Sequence, residues 1–154
     1  MKIIFPMTGP IKFSDEQYAF PKPLIDINGK TMFENALAPL KELDDIEIFT
    51  VINESDANEF SLDQVLKRST EGLKSSVRLV KKKTAGALCT TLLLSDYLED
   101  DELIISNYDH HLGFNVTDAV EYFKSENAHF GVISFDSVHP KWSYVRLDEA
   151  GSVI

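Results

Sequence analysis

The chain of 154 residues has a single cysteine, Cys89. That excludes an internal disulfide and fits a reducing compartment. Basic charge is scarce: 15 Lys and Arg against 25 Asp and Glu leave a formal net charge of −10. Sequence-independent binding to DNA or RNA rests on neutralising phosphates with Lys and Arg, so no nucleic-acid partner is expected. A small phosphorylated ligand stays open, because a few local cations and a metal ion suffice to hold one. No apolar run approaches about 18 residues, so no helix is expected to span a membrane. The N-terminal "MKIIFPM" is too short for a signal-peptide core and meets Pro6 at once, so a cytoplasmic location is the expectation. Internal repeats and low-complexity segments are also lacking. What remains, 44% hydrophobic and 26% charged residues, is the composition of an ordinary globular protein. A chain of this length buries roughly 70% of its unfolded surface, enough for a core of its own.

Hydrophobic patterning alternates between strand and helix. "KIIF" (2–5) is apolar in succession, which predicts an interior strand buried on both faces. "TMFENALAPLKEL" sets Met32, Phe33, Ala36, Leu37 and Leu40 on one helical stripe. Thr31 with Glu34 forms a capping box that starts this helix, and Pro39 kinks it or ends its regular part. Strands are predicted at 46–52, 76–81, 102–106, 130–136 and 143–148. Further helices are predicted at 61–69, with Ser61 and Gln64 as a second box, at 86–98, and at 115–126 capped by Asn115. In 86–98 the residues Leu88, Cys89, Leu92 and Leu93 recur at helical spacing, which assigns Cys89 to the core rather than to nucleophilic chemistry. The order β-α-β-α-β-α-β-α-β-β reads as an α/β fold, an open, mostly parallel mixed sheet with helices on both faces.

In such sheets ligands bind at the carboxyl ends of the strands. Three stretches fall there: "PMTGPIKF", "KKKTAGALCTTLL" and "SNYDHH". The first belongs to the one long stretch without predicted structure, 6–30, and loops of that length are usually functional or disordered. In the second, Thr84 and Gly86 open a helix whose free N–H groups favour an anion or a polar ring edge. In the third, Asp109 stands just past a strand end, where a carboxylate suits Mg²⁺, an ion that completes its shell with phosphate and water. A cap or turn role is the ordinary alternative for such an aspartate. His110 and His111 do not support zinc, because adjacent side chains on an extended chain point to opposite faces. "KKK" at 81–83 reads as a solvated edge beside the pocket rather than as a phosphate site.

The motifs "FPMTGPIKF", "FPKPLIDINGKTMFENAL", "TAGALCTTLLLSDYL", "LIISNYDHHL" and "HPKWSYVRLDEAG", in this order, resemble the sugar-phosphate nucleotidyltransferases, or NTP-transferases. The resemblance covers nearly the whole chain and is greatest to members from capsule and surface-polysaccharide gene clusters. It implies a Rossmann-like domain of the glycosyltransferase-A type. It also implies Mg²⁺-dependent transfer of a nucleotidyl group from an NTP to a sugar-1-phosphate or similar phosphorylated acceptor, with release of pyrophosphate. Carried onto this sequence, Met7, Thr8 and Gly9 would meet the nucleotide, and Thr84, Gly86 and Ala87 would line the base and ribose. Lys22, between Pro21 and Pro23, would touch the reacting phosphates, Asp109 would hold the metal, and Trp142 and Ser143 would face the acceptor.

Two departures stand out. The family loop reads Gly-x-Gly-x-Arg or close to it, whereas "GPIKF" is a residue shorter, lacks the second glycine and has Lys12 near the place of the arginine. Pro10 offers no N–H to a phosphate, and a lysine lacks the two-pronged grip of arginine. Family members also continue for roughly another hundred residues beyond the position of Ile154, so the resemblance implies a C-terminally truncated domain spanning 1–154. The competing classes are a non-catalytic nucleotide-binding or regulatory module and, third, a glycosyltransferase of the same fold. The third would carry Asp-x-Asp where this chain has Asn107-Tyr108-Asp109. A homo-oligomer is left open.

Overall fold

A computed structural model describes residues 1–12, 20–98, 102–140, 142–149 and 151–154. It divides into two compact units, Met1–Thr117 and Asp118–Ile154.

The first unit is built on four parallel strands. β1 is Lys2–Met7, β4 is Glu47–Asn53, β5 is Lys74–Val80 and β6 is Leu103–Ile105, in the order β5-β4-β1-β6. β1 is therefore interior, paired along its length with β4 and over Lys2 to Ile4 with β6. Successive side chains leave a strand on opposite faces, and both faces of β1 are covered. Ile4 packs with Phe49, Val51 and Leu94 on one side. Phe5 meets Phe33 edge-on at 5.1 Å on the other. Ile3, Ile4, Phe5 and Met7 are fully buried, as the unbroken apolar run requires.

The helices form largely for the reasons read from the sequence. α1, Met32–Leu37, begins at the Thr31–Glu34 capping box, and Pro39 falls where the α-helix gives way to a 3-10 turn over Ala38–Glu42. α3 is Leu62–Ser69, but Ser61 does not cap it: its φ of 52° is left-handed and its side chain makes no cap bond. An unpredicted helix α2, Glu54–Phe60, fills the link after β4. Only its Ala57 is buried, so it carries almost no apolar period to read. Within the expected long loop the described residues after 20 form regular structure. Lys22–Leu24 is a 3-10 turn, and β2 (Asp26–Ile27) pairs antiparallel with β3 (Lys30–Thr31). Asn28 and Gly29, with φ of 56° and 81°, make the Asn-Gly turn of this small hairpin.

Two further expectations fail. α4 is short, Ala87–Leu92, with a 3-10 turn at Ser95–Tyr97, and its apolar stripe faces out: Leu88, Cys89, Leu92 and Leu93 are exposed, while Thr90, Thr91 and Leu94 are buried. Cys89 is therefore not a core residue. The inward threonines satisfy their hydroxyls against the helix itself, Thr90 donating to the Gly86 carbonyl and Thr91 to that of Ala87. In the second unit no strand forms over 130–136 or 143–148; among the described residues the regular pairing there is a single antiparallel bridge between Leu147 and Val153. α5, Val116–Ser125, does begin at the predicted cap, Asn115, whose Oδ1 accepts from the Thr117 amide at 2.9 Å.

Candidate nucleotide site

A cleft of about 410 Å³ opens beyond the carboxyl ends of β1 and β5, lined by Pro6, Thr8, Gly9, Pro10 and the run Lys83 to Ala87. Two stretches far apart in sequence, the loop after β1 and the approach to α4, thus form its two walls. Thr8, Gly9, Thr84, Gly86 and Ala87 come together as expected. Lys83, set aside as a solvated edge, lines the same cleft. Its position three residues after β5 was the available signal.

The two glycines are there for different reasons. Gly86 has a φ of 131°, which L side chains rarely adopt, so the backbone alone calls for glycine. Gly9 has no such torsion, and a Cβ built on it would meet nothing within 4 Å. Neither strain nor packing explains Gly9; what it provides is open cleft floor beside the main chain. Thr8 is fixed by its hydroxyl, which meets those of Thr84 and Thr90 at 2.8 and 2.7 Å. Ile11 is buried, and its carbonyl accepts from the Lys22 amide at 2.6 Å. That bond ties the "PKPL" turn to the end of the loop, with Pro21 and Pro23 both buried around half-buried Lys22.

The remaining expected residues are not among those that line this cleft. Met7 is fully buried in the sheet. Lys12 and Lys22 are not among the cleft-lining residues. Lys12 is held away by Glu59, Nζ to Oε1 at 2.7 Å, with the ammonium 5.0 Å from the centre of the Phe60 ring. Asp109 is exposed just past β6, its Oδ1 3.9 Å from His110 Nε2. Burial raises the pKa of neighbouring Tyr108 above the usual phenol range, and the carboxylates of Asp109 and then Asp56 add to this. Trp142 and Ser143 belong to the second unit, where Trp142 meets Phe135 edge-on at 5.1 Å.

A parallel sheet carrying a ligand-sized cleft at its strand ends defines a Rossmann-like α/β fold of the nucleotidyltransferase type. The sequence matches the nucleotidyl transferase family over residues 17–154, and the chain belongs to that family. No curated protein matches it. Among solved structures, the fold is similar to that of a Bacillus anthracis protein described as a glucose-1-phosphate thymidylyltransferase, in complex with sucrose. That likeness has a TM-score of 0.62 at 18% identity and covers 80% of this chain and 50% of the other. A nucleoside-diphosphate-sugar pyrophosphorylase from Vibrio cholerae gives a TM-score of 0.55 at 15% identity, covering 77% of this chain and 53% of the other. The chain thus spans about half the length of these two structures.

Proposed function

We propose that this chain carries the nucleotide-binding part of a sugar nucleotidyltransferase. An NTP occupies the cleft, and a phosphate oxygen of a sugar-1-phosphate or similar acceptor attacks its α-phosphorus. The bond to the β-phosphate oxygen breaks, pyrophosphate leaves, and the sugar nucleotide forms. The observation that carries the reading is the union of Thr8 and Gly9 with Thr84, Gly86 and Ala87 in one cleft at the carboxyl ends of parallel strands. Such a transfer depends on in-line positioning and on neutralised phosphate charge more than on acid–base chemistry.

Asp109 is the carboxylate that this reading assigns to Mg²⁺. Among the described residues no three His, Cys, Asp or Glu side chains gather to cage an ion. Magnesium asks for one or two carboxylates and takes the rest from phosphate and water. Bound there, it would neutralise phosphate charge. In this reading Lys22 supplies charge at the reacting phosphate, Lys12 supports NTP affinity, and Trp142 and Ser143 serve the acceptor. The role in surface-polysaccharide precursor synthesis rests on the sequence resemblance.

A second reading, nucleotide binding without turnover, is favoured by one observation: Lys12 is engaged by Glu59 instead of lining the cleft. The test is calorimetric titration with each NTP, with and without Mg²⁺, alongside pyrophosphate release with a panel of sugar-1-phosphates. Binding that strengthens with Mg²⁺ in the wild type but not in Asp109→Ala supports the site, and pyrophosphate release separates enzyme from binding module. Absence of NTP binding in the wild type would remove both readings.

A further inference from the structure

Three threonine hydroxyls meet behind the cleft. Thr8 follows β1, Thr84 precedes α4 and Thr90 lies on it. Their Oγ1 atoms are 2.8 Å (Thr8 to Thr84), 2.7 Å (Thr8 to Thr90) and 2.6 Å (Thr84 to Thr90) apart. Each hydroxyl has one proton, and Thr90 gives its own to the Gly86 carbonyl at 3.0 Å, so within this ring of three oxygens Thr8 and Thr84 donate and Thr90 accepts. Thr8 and Thr90 are buried, and Thr84 stands half-buried at the cleft wall. The main chain of Thr8 is held as well: its carbonyl accepts from Asn53 Nδ2 at 3.2 Å, and the same amide donates to Asp56 Oδ2 at 2.9 Å. Thr8 is thus fixed through side chain and backbone together, one residue before Gly9. Asn53 ends β4 and Thr90 lies on α4, so two separate elements converge on one residue.

We propose that Thr90 and Asn53, neither of which lines the cleft, are positioning residues for nucleotide binding. They hold Thr8, and with it Gly9, against the Thr84–Gly86 wall. This rests on the nucleotide reading above and deepens it. A loop with one glycine and a proline offers few N–H groups to a phosphate, so its affinity depends on being ordered before the ligand arrives. Ordering in advance removes an entropic cost from binding. A purely structural ring would only satisfy buried hydroxyls and would leave affinity indifferent to its loss.

Thr91 separates these cases. It shares helix and burial with Thr90 and makes the same bond to the carbonyl four residues back, 3.0 Å in each case, but has no hydrogen bond to Thr8. Thr90→Val and Thr91→Val keep shape and remove one hydroxyl each. NTP affinity is measured by calorimetry below the melting transition of every variant. Thr90→Val is expected to weaken binding about ten-fold, one charge-neutral hydrogen bond's worth. Thr90→Ser is expected to restore it, and Thr91→Val to leave it unchanged. Equal affinity in Thr90→Val and Thr91→Val, with the wild type binding NTP, overturns this proposal alone. A wild type that binds no NTP overturns the nucleotide reading and this with it. Where Thr90→Val does not fold, Asn53→Ala decides: several-fold weaker binding supports the proposal, and wild-type affinity overturns it.

Discussion

Residues 3–5 and residues 130–135 are both rich in apolar side chains, and their fates are opposite. "IIF" in β1 has parallel partners on both edges and packed groups on both faces, and each residue is fully buried. "FGVISF" forms no strand; Phe130 is 75% exposed and Phe135 64%. Composition does not separate the two runs, since both suit a pleated, half-buried surface. Pairing does: a strand is stabilised by the neighbours that take its N–H and C=O groups and cover its side chains. The first unit provides them for β1, and among the described residues none pair with 130–135.

The strongest way to break this comparison is to truncate one phenylalanine from each run. Phe5→Ala empties a site packed against Phe33 and is expected to cost about 3–5 kcal/mol. Phe130→Ala removes an exposed ring and is expected to change stability by no more than about 0.5 kcal/mol. Urea midpoints of the two variants measure the difference. Similar losses would mean that 130–135 is packed as tightly as β1.

The same contrast governs what could be read from sequence. β1, β4 and α1 are legible because each announces itself locally: by a mostly apolar run, by a capping box, by Pro39. The hairpin at 26–31 has a local signal in Asn28-Gly29, but its two-residue strands are too short to show a period. α4 misleads because hydrophobic spacing alone does not choose its inward face. Its inward face is chosen by Thr90, whose hydroxyl has partners on Thr8 and Thr84 that only the folded chain brings close. The site was legible in the same measure. Thr8, Gly9, Thr84, Gly86 and Ala87 converge because strand ends converge, which topology predicts. The direction of a long side chain does not follow from topology, and Lys12 on Glu59 with Lys83 at the cleft is the result.

A substitution in each unit sharpens the comparison at the level of function. Gly9→Ala adds a methyl group to open cleft floor without backbone strain. NTP affinity is expected to fall about ten-fold, some 1.4 kcal/mol. Stability is expected to stay level or rise by about 0.4–1 kcal/mol as the unfolded chain loses freedom. Trp142→Ala, in the second unit, is expected to leave NTP affinity unchanged and to act on the acceptor. Calorimetry on both variants reads this. An unchanged affinity in Gly9→Ala would show that no ligand approaches the main chain there.

The smallest expected effect compares two helix starts, one capped with a carboxylate and one with a neutral amide. Glu34 accepts from the Thr31 amide at 2.7 Å and from the Thr31 hydroxyl at 2.8 Å, while Thr31 accepts from the Glu34 amide at 3.1 Å. The bond from the Thr31 amide, and then that from its hydroxyl, hold the Glu34 pKa below its ordinary 4.5; burial opposes them, and Lys41 and Lys30 assist. A carboxyl whose folded pKa is depressed adds stability that is fully present above the unfolded value. It is lost as pH falls through the folded one. Glu34→Gln is therefore expected to cost about 0.5 kcal/mol at pH 7, and that difference should shrink as the pH falls below 4.5 and vanish only below the depressed folded pKa, where the wild-type side chain is itself neutral. At α5 the cap is Asn115, whose amide does not titrate, so the cost of Asn115→Ala, about 1 kcal/mol, should be the same at both pH values. Urea midpoints at neutral and acid pH decide the matter: a Glu34→Gln cost that persists unchanged in acid would mean that the ionised carboxylate is not what stabilises the start of α1.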